Sequence, residues 1–216
     1  MAPYWLISGM TPAQGATTGA FMATGMSISS ATAFRNTDHF PKDKTLLYTL
    51  AFVAFIASIL GAIILPKMDI QTFKYLLAIT TLAALPLLYV KPSTKHLLSV
   101  NRRSGFGLAI GSLIVGSIIT SSAFSLLFTL TLMAFFNMSV LQMTALRRLV
   151  GIVQSIVLFT ALALQGYFIW QHAIAGFIGG SIGSYIGTKY AVIKGESFAK
   201  NSLMIISLAA TIALLI

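Results

Sequence analysis

Charge and cysteine are what this sequence of 216 residues contains least of. Charged side chains make up 8% of it, only four residues are Asp or Glu, and there is no cysteine. A soluble domain carries about 25% charged residues, so a soluble enzyme and a nucleic-acid-binding domain are excluded. The absence of cysteine excludes disulfides, thiolate metal ligands and thiol nucleophiles. Apolar residues reach 57%, which indicates a protein of the lipid bilayer.

The basic residues outnumber the acidic ones by 14 to 4 and lie mainly in short stretches between long apolar runs. This placement is typical of side chains that set membrane orientation and contact lipid headgroups. A nucleic-acid partner is therefore not predicted. The first ten residues hold no basic segment ahead of an apolar core, so no signal peptide is predicted either.

Seven stretches predict membrane-spanning helices, since a span needs about 20 mostly apolar residues. They are residues 11–34, 45–65, 72–90, 105–136, 139–164, 172–188 and 198–216. As one straight helix, the uncharged run 105–136 would be about 48 Å long, against a hydrocarbon core of about 30 Å. We predict a break in it at Gly116-Ser117 or at the Thr120-Ser121-Ser122 cluster. The fold class predicted is an all-α, polytopic integral membrane protein of about seven helices.

Two parts of the sequence resemble each other. A shift of 128 aligns Thr11 with Ser139 and Ser27 with Ser155, and a shift of 122 aligns residues 51–67 with 173–189. We predict a first repeat over 1–90, a basic connecting loop over 91–104, and a second repeat over 105–216. In the seven-span layout the two repeats run in the same direction, related by an axis along the membrane normal.

The seven-span layout also predicts which loops share a side of the bilayer. The basic stretches 35–44 and 91–104 fall on one side, and five lysines fall on the other: Lys67, Lys74, Lys189, Lys194 and Lys200. Because cytoplasmic loops carry an excess of Lys and Arg, the side of 35–44 is predicted to be cytoplasmic, by a small margin.

Three segments carry a family resemblance: Pro3 to Thr18, the glycine-rich stretch Ala175 to Gly187, and Lys194 to Phe198 with the apolar tail that follows. On these residues the chain resembles the sulfite exporter TauE/SafE family, also called the toluene-sulfonate uptake permease family. The resemblance covers nearly the whole chain. It implies a permease or exporter of small anions, sulfite or organosulfonates, in a bacterial-type plasma membrane.

Two features depart from the family pattern. The sequence begins just after the place of the family's opening broken helix, so that helix has no match here. Residues 111–122 read GSLIVGSIITSS and lack a run of glycines. These departures favour the alternative to transport, a non-transporting membrane subunit or scaffold derived from such a transporter.

Arg147 and Arg148 are the sharpest candidates for a substrate site. Within a span over 139–164 both guanidiniums lie inside the bilayer, where each costs about 2.5–3.5 kcal/mol unless it faces a cavity or an anion. A guanidinium can hold an oxyanion with two hydrogen bonds. The alternative is a span over 149–170, which would place both arginines at the membrane interface.

Further pathway candidates are uncharged polar residues. They are Thr17, Thr18, Thr24 and Ser27 in the first span, Ser121 and Ser122 at the predicted break, and Gln154 and Ser155 in the corresponding span of the other repeat. Hydroxyl and amide groups could replace water around an anion, although helix packing is their commoner role. The glycines Gly176, Gly179, Gly180, Gly183 and Gly187 predict a close helix-packing face.

The four acids, Asp38, Asp43, Asp69 and Glu196, all fall in predicted loops, so no carboxylate pair or carboxylate proton relay is predicted within the bilayer. No nucleotide-binding, zinc-protease or serine-hydrolase motif occurs. We therefore predict no enzyme, no metal and no cofactor. The predicted partners are the lipid bilayer and a small anionic substrate, with homo-oligomerisation left open.

Overall fold

A computed structural model describes residues 9–73, 75–76, 102–119, 128, 131–132, 135–136, 138–199 and 202 of the chain. These residues form helices and short connections, with no strand among them. The long helices are α1 (Pro12–Phe34), α2 (Lys44–Ile64), α3 (Arg102–Ile119), α4 (Val140–Ala163) and α5 (Trp170–Lys194). The all-helical fold class is confirmed.

Helices α1 and α4 begin with the same capping box. The Thr11 hydroxyl accepts a hydrogen bond from the Gln14 backbone N–H at 3.3 Å, and the Gln14 side chain accepts one from the Thr11 N–H at 2.9 Å. Ser139 and Gln142 repeat both bonds, at 3.3 and 3.1 Å. Each box satisfies two backbone donors that have no partner within the helix, which fixes where the helix begins.

Aspartates cap the two helical segments that lie between α1 and α3 in the sequence. The Asp43 side chain accepts a hydrogen bond from the Leu46 N–H and begins α2, which continues into a 3-10 turn over Leu65–Lys67. The Asp69 side chain accepts a bond of 2.9 Å from the Thr72 N–H, where the next helical segment begins. Hydrogen bonding to Thr72 lowers the pKa of the Asp69 carboxyl.

Helices α1 and α4 are antiparallel. Ala13, Ala16 and Ala20 near the start of α1 share a buried cluster with Leu158 and Leu162 near the end of α4. At the opposite end, Phe34 of α1 lies in a cluster with Leu141 and Ala145 of α4. The prediction that spans 11–34 and 139–164 run in the same direction is therefore wrong.

The reason is the uncharged run 105–136, which enters and leaves at the same end of the molecule. Gly105 at its start lies against the side chain of Phe135 near its finish. In one straight helix these residues would be about 45 Å apart. The run is therefore not a single straight helix, and its return reverses every later helix relative to the seven-span layout. Helix α3 is continuous through Gly116 and Ser117, so the chain does not break there, and Thr120, Ser121 and Ser122 lie outside the described residues.

Helices α2 and α5 each pack against a helix from the other part of the sequence, and α2 also packs against α3. Helix α2 runs parallel to α4, with Leu46 and Leu50 beside Met143 and Leu146 and with Ser58 bonded to Gln154 further along. Helix α5 runs parallel to α1, with Gly176 against Met22 and Thr188 against Ser30. The two outer helices are thus α2, which follows α1 and packs on α4, and α5, which follows α4 and packs on α1.

Basic residues gather at one end of this bundle. The end of α1, the starts of α2, α3 and α4, and the end of α5 all lie there. With them lie Arg35, Lys42, Lys44, Arg102, Arg103, Lys189 and Lys194. The opposite end holds Lys67 in the described part of the chain. The predicted placement of Lys189 and Lys194 on the side opposite to 35–44 is wrong, because α5 is parallel to α1.

Two helices of the described residues are long and apolar enough to cross a membrane, Lys44–Lys67 and Val140–Ala163. Most of the predicted spans 72–90 and 198–216 lies outside the described residues, as does the greater part of the connecting loop 91–104. The number of seven helices, the two repeats and the domain limits 1–90, 91–104 and 105–216 therefore stay predictions.

Candidate functional site

Arg147 and Arg148 lie well inside α4. Both are about 5–7 Å from the midpoint of the helix, on the side of the basic end. Both side chains are partly buried. The alternative span over 149–170 does not form, because α4 ends at Ala163 and the chain turns at Gly166, whose φ is 84°. This positive φ is a backbone conformation that glycine adopts without steric cost, and the turn separates α4 from α5.

No acidic side chain compensates the two guanidiniums. All four acids of the sequence are among the described residues. Asp38 lies in the turn after α1, Asp43 and Asp69 cap helices, and Glu196 is exposed beyond the end of α5. Arg147 and Arg148 interact electrostatically with each other, and with no carboxylate of the described chain. Two partly buried cations therefore lie in α4 without a carboxylate partner among the described residues.

The two arginines face different helices. Along α4, Arg148 stands in line with Leu141, Ala145 and Ser155, all of which contact α1. Arg147 instead stands beside Met143 and Val150, which pack in the cluster formed with α2. Arg148 is thus the guanidinium directed at the α1–α4 interface.

Three of the predicted pathway residues meet where α1 and α4 cross. The Thr24 hydroxyl donates to the Ser155 hydroxyl at 3.0 Å and also contacts its own helix at the Ala20 carbonyl. One turn further along α1, Ser27 lies against Gly151, with its hydroxyl 3.2 Å from the place of a Cβ there. Thr24, Ser27 and Ser155 therefore form one small polar contact, which we call the hydroxyl crossing.

The other predicted residues of the first span lie nearer the start of α1. The buried Thr17 hydroxyl donates to the Ala13 carbonyl at 2.6 Å, so it is satisfied within its own helix. The Thr18 hydroxyl is also buried and has no hydrogen-bond partner among the described residues. The carbonyl of Gln154 accepts a bond of 3.1 Å from Ser58. Ser121 and Ser122 lie outside the described residues.

Several interhelical hydroxyl contacts were not singled out from the sequence. Ser30 and Thr188 join α1 to α5 with 2.7 Å between their oxygens, and Ser184 donates to the Met26 carbonyl at 2.9 Å. A hydroxyl in a helix most often bonds its own backbone four residues earlier, so the sequence alone does not separate these residues from the rest.

The glycines of α5 divide between two faces. Gly176 lies against Met22 and Gly180 against Met26, both on α1. A Cβ on Gly179, Gly183 or Gly187 would meet nothing within 4 Å. The predicted packing face thus has one part in contact with α1 and one part open, and the role of the open part stays a prediction.

Aromatic rings close the end of this interface that lies away from the arginines. The Phe21 ring is 4.8 Å from Phe177, 5.0 Å from Phe159 and 5.3 Å from Phe168, measured between centroids. These four residues, here called the aromatic cluster, come from α1, α4, the following turn and α5. From the basic end inward, the interface therefore presents Arg148, then the hydroxyl crossing, then an apolar closure.

Comparison with known proteins identifies a family. The family model described as Sulfite exporter TauE/SafE matches residues 1–214, nearly the whole chain. No curated protein and no solved structure matches significantly.

Proposed function

Because the chain belongs to the sulfite exporter TauE/SafE family, we propose that it carries a small sulfur oxyanion across a bacterial-type plasma membrane. Sulfite and organosulfonates are the substrate class. The family is one of membrane transporters, and the all-helical fold with apolar helices of membrane-spanning length agrees with it.

The observation that carries the proposal is the unpaired charge in α4. A cation near the middle of a bilayer is costly unless an anion or water meets it. No carboxylate of the described residues meets Arg148. An oxyanion that enters the α1–α4 interface would supply the missing charge and could accept two hydrogen bonds from one guanidinium. The hydroxyl crossing lies next along the same interface and offers further uncharged donors.

The charge distribution supports a direction of approach. The basic end is proposed to be cytoplasmic, since cytoplasmic loops carry the excess of Lys and Arg. Arg148 lies on that side of the midpoint of α4. A cytoplasmic anion would therefore first meet a positive surface and then the guanidinium, which suits loading for export.

Reconstitution into proteoliposomes tests the proposal. Vesicles that contain the protein and are loaded with sulfite, thiosulfate or sulfoacetate should release at least one of these anions faster than loaded vesicles without protein do. Absence of flux for all three would refute the substrate class. Absence of flux together with a partner protein that stays bound in mild detergent would support the non-transporting subunit instead.

A further inference from the structure

The two halves of the structure share more than a sequence pattern. The capping boxes of α1 and α4 lie 128 residues apart, at Thr11 and Ser139, which is the shift that aligns the two helices in the sequence. The helices are also nearly equal in length, with 23 and 24 residues. They are antiparallel, so any symmetry that exchanges them has its axis perpendicular to them, in the membrane plane.

The packing of the outer helices α2 and α5 is consistent with a symmetry that exchanges α1 with α4. Helix α2 follows α1 and packs parallel to α4, while α5 follows α4 and packs parallel to α1. Exchanging the two halves turns the α2–α4 pair into the α5–α1 pair. A chance assembly of four helices does not require this reciprocity.

A serine hydroxyl meets a backbone carbonyl at each of these two interfaces. The Ser58 hydroxyl of α2 bonds the Ala54 carbonyl of its own helix at 2.7 Å and shares this contact with the Gln154 carbonyl of α4 at 3.1 Å. The Ser184 hydroxyl of α5 donates to the Met26 carbonyl of α1 at 2.9 Å. Met26 and Gln154 are again 128 residues apart. Ser58 and Ser184 are 126 apart, which differs by about one helical turn from the shift of 122 that the sequence suggests.

The centre of the exchange is the hydroxyl crossing. Ser27 and Ser155 are equivalent under the shift of 128, and each contacts the opposite helix there, Ser27 at Gly151 and Ser155 at Thr24. The axis therefore passes close to the middle of both α1 and α4. Arg148 has no equivalent arginine, because the matching position in α1 is Ala20.

We infer that the chain is an inverted repeat in which α1 with α5 forms one body, α2 with α4 forms the other, and the two move against each other at the hydroxyl crossing. Inverted repeats allow two facing states, because each half can take the conformation of the other. The inference rests on the proposed function only in its transport arm.

The first test concerns direction, and it needs no transport. The natural chain has no cysteine, so a single introduced thiol reports its own position. Asn36 and Leu164 are 128 residues apart and both exposed, within two residues of the end of their helices. A membrane-impermeant maleimide should label Asn36→Cys and Leu164→Cys from opposite sides of the membrane. Labelling of both from one side would overturn the inverted repeat.

The second test concerns which interface moves. Thr24→Cys with Ser155→Cys joins the two bodies, whereas Ser30→Cys with Thr188→Cys joins α1 to α5 within one body. The pairs are matched, because both replace hydroxyls in direct contact, at 3.0 and 2.7 Å. Each variant is compared, oxidised and reduced, in the sulfite flux assay.

Oxidation of the Thr24/Ser155 pair should lower flux by about tenfold or more, and reductant should restore it. The disulfide would hold the two bodies together, and a blocked conformational step limits turnover. Oxidation of the Ser30/Thr188 pair should change flux by less than about twofold, since its helices move together. Equal effects of both cross-links, or a block by the Ser30/Thr188 pair alone, would overturn the assignment of bodies. If the unmodified protein shows no flux, the proposed function fails, and the labelling of Asn36→Cys and Leu164→Cys still decides the repeat.

Discussion

Replacement of Arg148 by Gln separates a substrate site from a structural arginine. Arg148 lies about 5 Å along the helix from the midpoint of α4, faces α1 and has no carboxylate partner among the described residues. Gln keeps a side chain of similar reach with hydrogen-bonding groups, and removes the charge. We expect anion affinity to fall while the fold is retained.

The magnitudes follow from the surroundings of the side chain. A hydrogen bond to a charged group contributes about 1.5–3 kcal/mol, so the half-saturating concentration of sulfite should rise by about 10- to 150-fold. An arginine at this depth costs about 2.5–3.5 kcal/mol when it is unpaired, so its removal should not destabilise the empty protein. Ligand-induced stabilisation should also shrink: at 100 times the dissociation constant of the unmodified protein it is worth about 2.7 kcal/mol, and in the variant about 0.3–1.4 kcal/mol should remain.

Proteoliposome flux and thermal melting in detergent, with and without sulfite, measure these effects. Arg147→Gln is the matched control, because its position faces the α2 side and its effect on half-saturation should be smaller. Arg148→Lys should be intermediate, since an ammonium keeps the charge without the planar pair of donors. The reasoning is refuted if Arg148→Gln melts at a lower temperature while its half-saturation stays within about twofold of the unmodified protein.

Four further substitutions test the packing around the site. Gly25→Ala places a Cβ against Ser181 and the Phe177 ring and should cost about 1–3 kcal/mol, whereas Gly183→Ala enters open space and should be neutral or slightly stabilising; equal melting temperatures would contradict this. Thr18→Val removes a buried hydroxyl without a described partner, so melting should not fall; a loss above about 1 kcal/mol would reveal a partner. Phe21→Ala removes three ring contacts and should cost about 2–4 kcal/mol and raise the passive leak of anions through the aromatic cluster; an unchanged leak would argue against closure there.

Helix starts and the break in the long uncharged run could be predicted from local chemistry. Thr11 and Ser139 each precede a glutamine by three residues, and that spacing closes a capping box whatever the rest of the chain does. The run 105–136 is too long for the bilayer as one helix, so it must bend or return. Both features depend on length and on nearest neighbours, which a sequence displays directly.

The direction of the later helices could not be predicted in the same way. Hydropathy shows that the run 105–136 is interrupted, but it does not show whether the chain continues or returns. The contact of Gly105 with Phe135 decides this, and it depends on packing between residues far apart in sequence. When the run is taken as a single crossing of the membrane, the predicted directions of α4 and α5 are reversed. Lys189 and Lys194 are then predicted on the wrong side. The unpaired state of Arg148 was foreseeable, because a chain with four acids, all in loops, has few partners to offer.

The scarcity of acids also bears on the energy source of transport. Asp38, Asp43, Asp69 and Glu196 all lie outside the long helices of the described chain, so a proton has no carboxylate route beside Arg148. We therefore expect the membrane potential to drive the anion by its own charge. One charge in 100 mV corresponds to about 2.3 kcal/mol, or about a fifty-fold concentration ratio. Proteoliposomes with an imposed potassium diffusion potential should approach this ratio without a pH gradient. Accumulation driven by a pH gradient at zero potential would contradict this expectation. It would show that protons are coupled to the anion by a route that uses no carboxylate side chain.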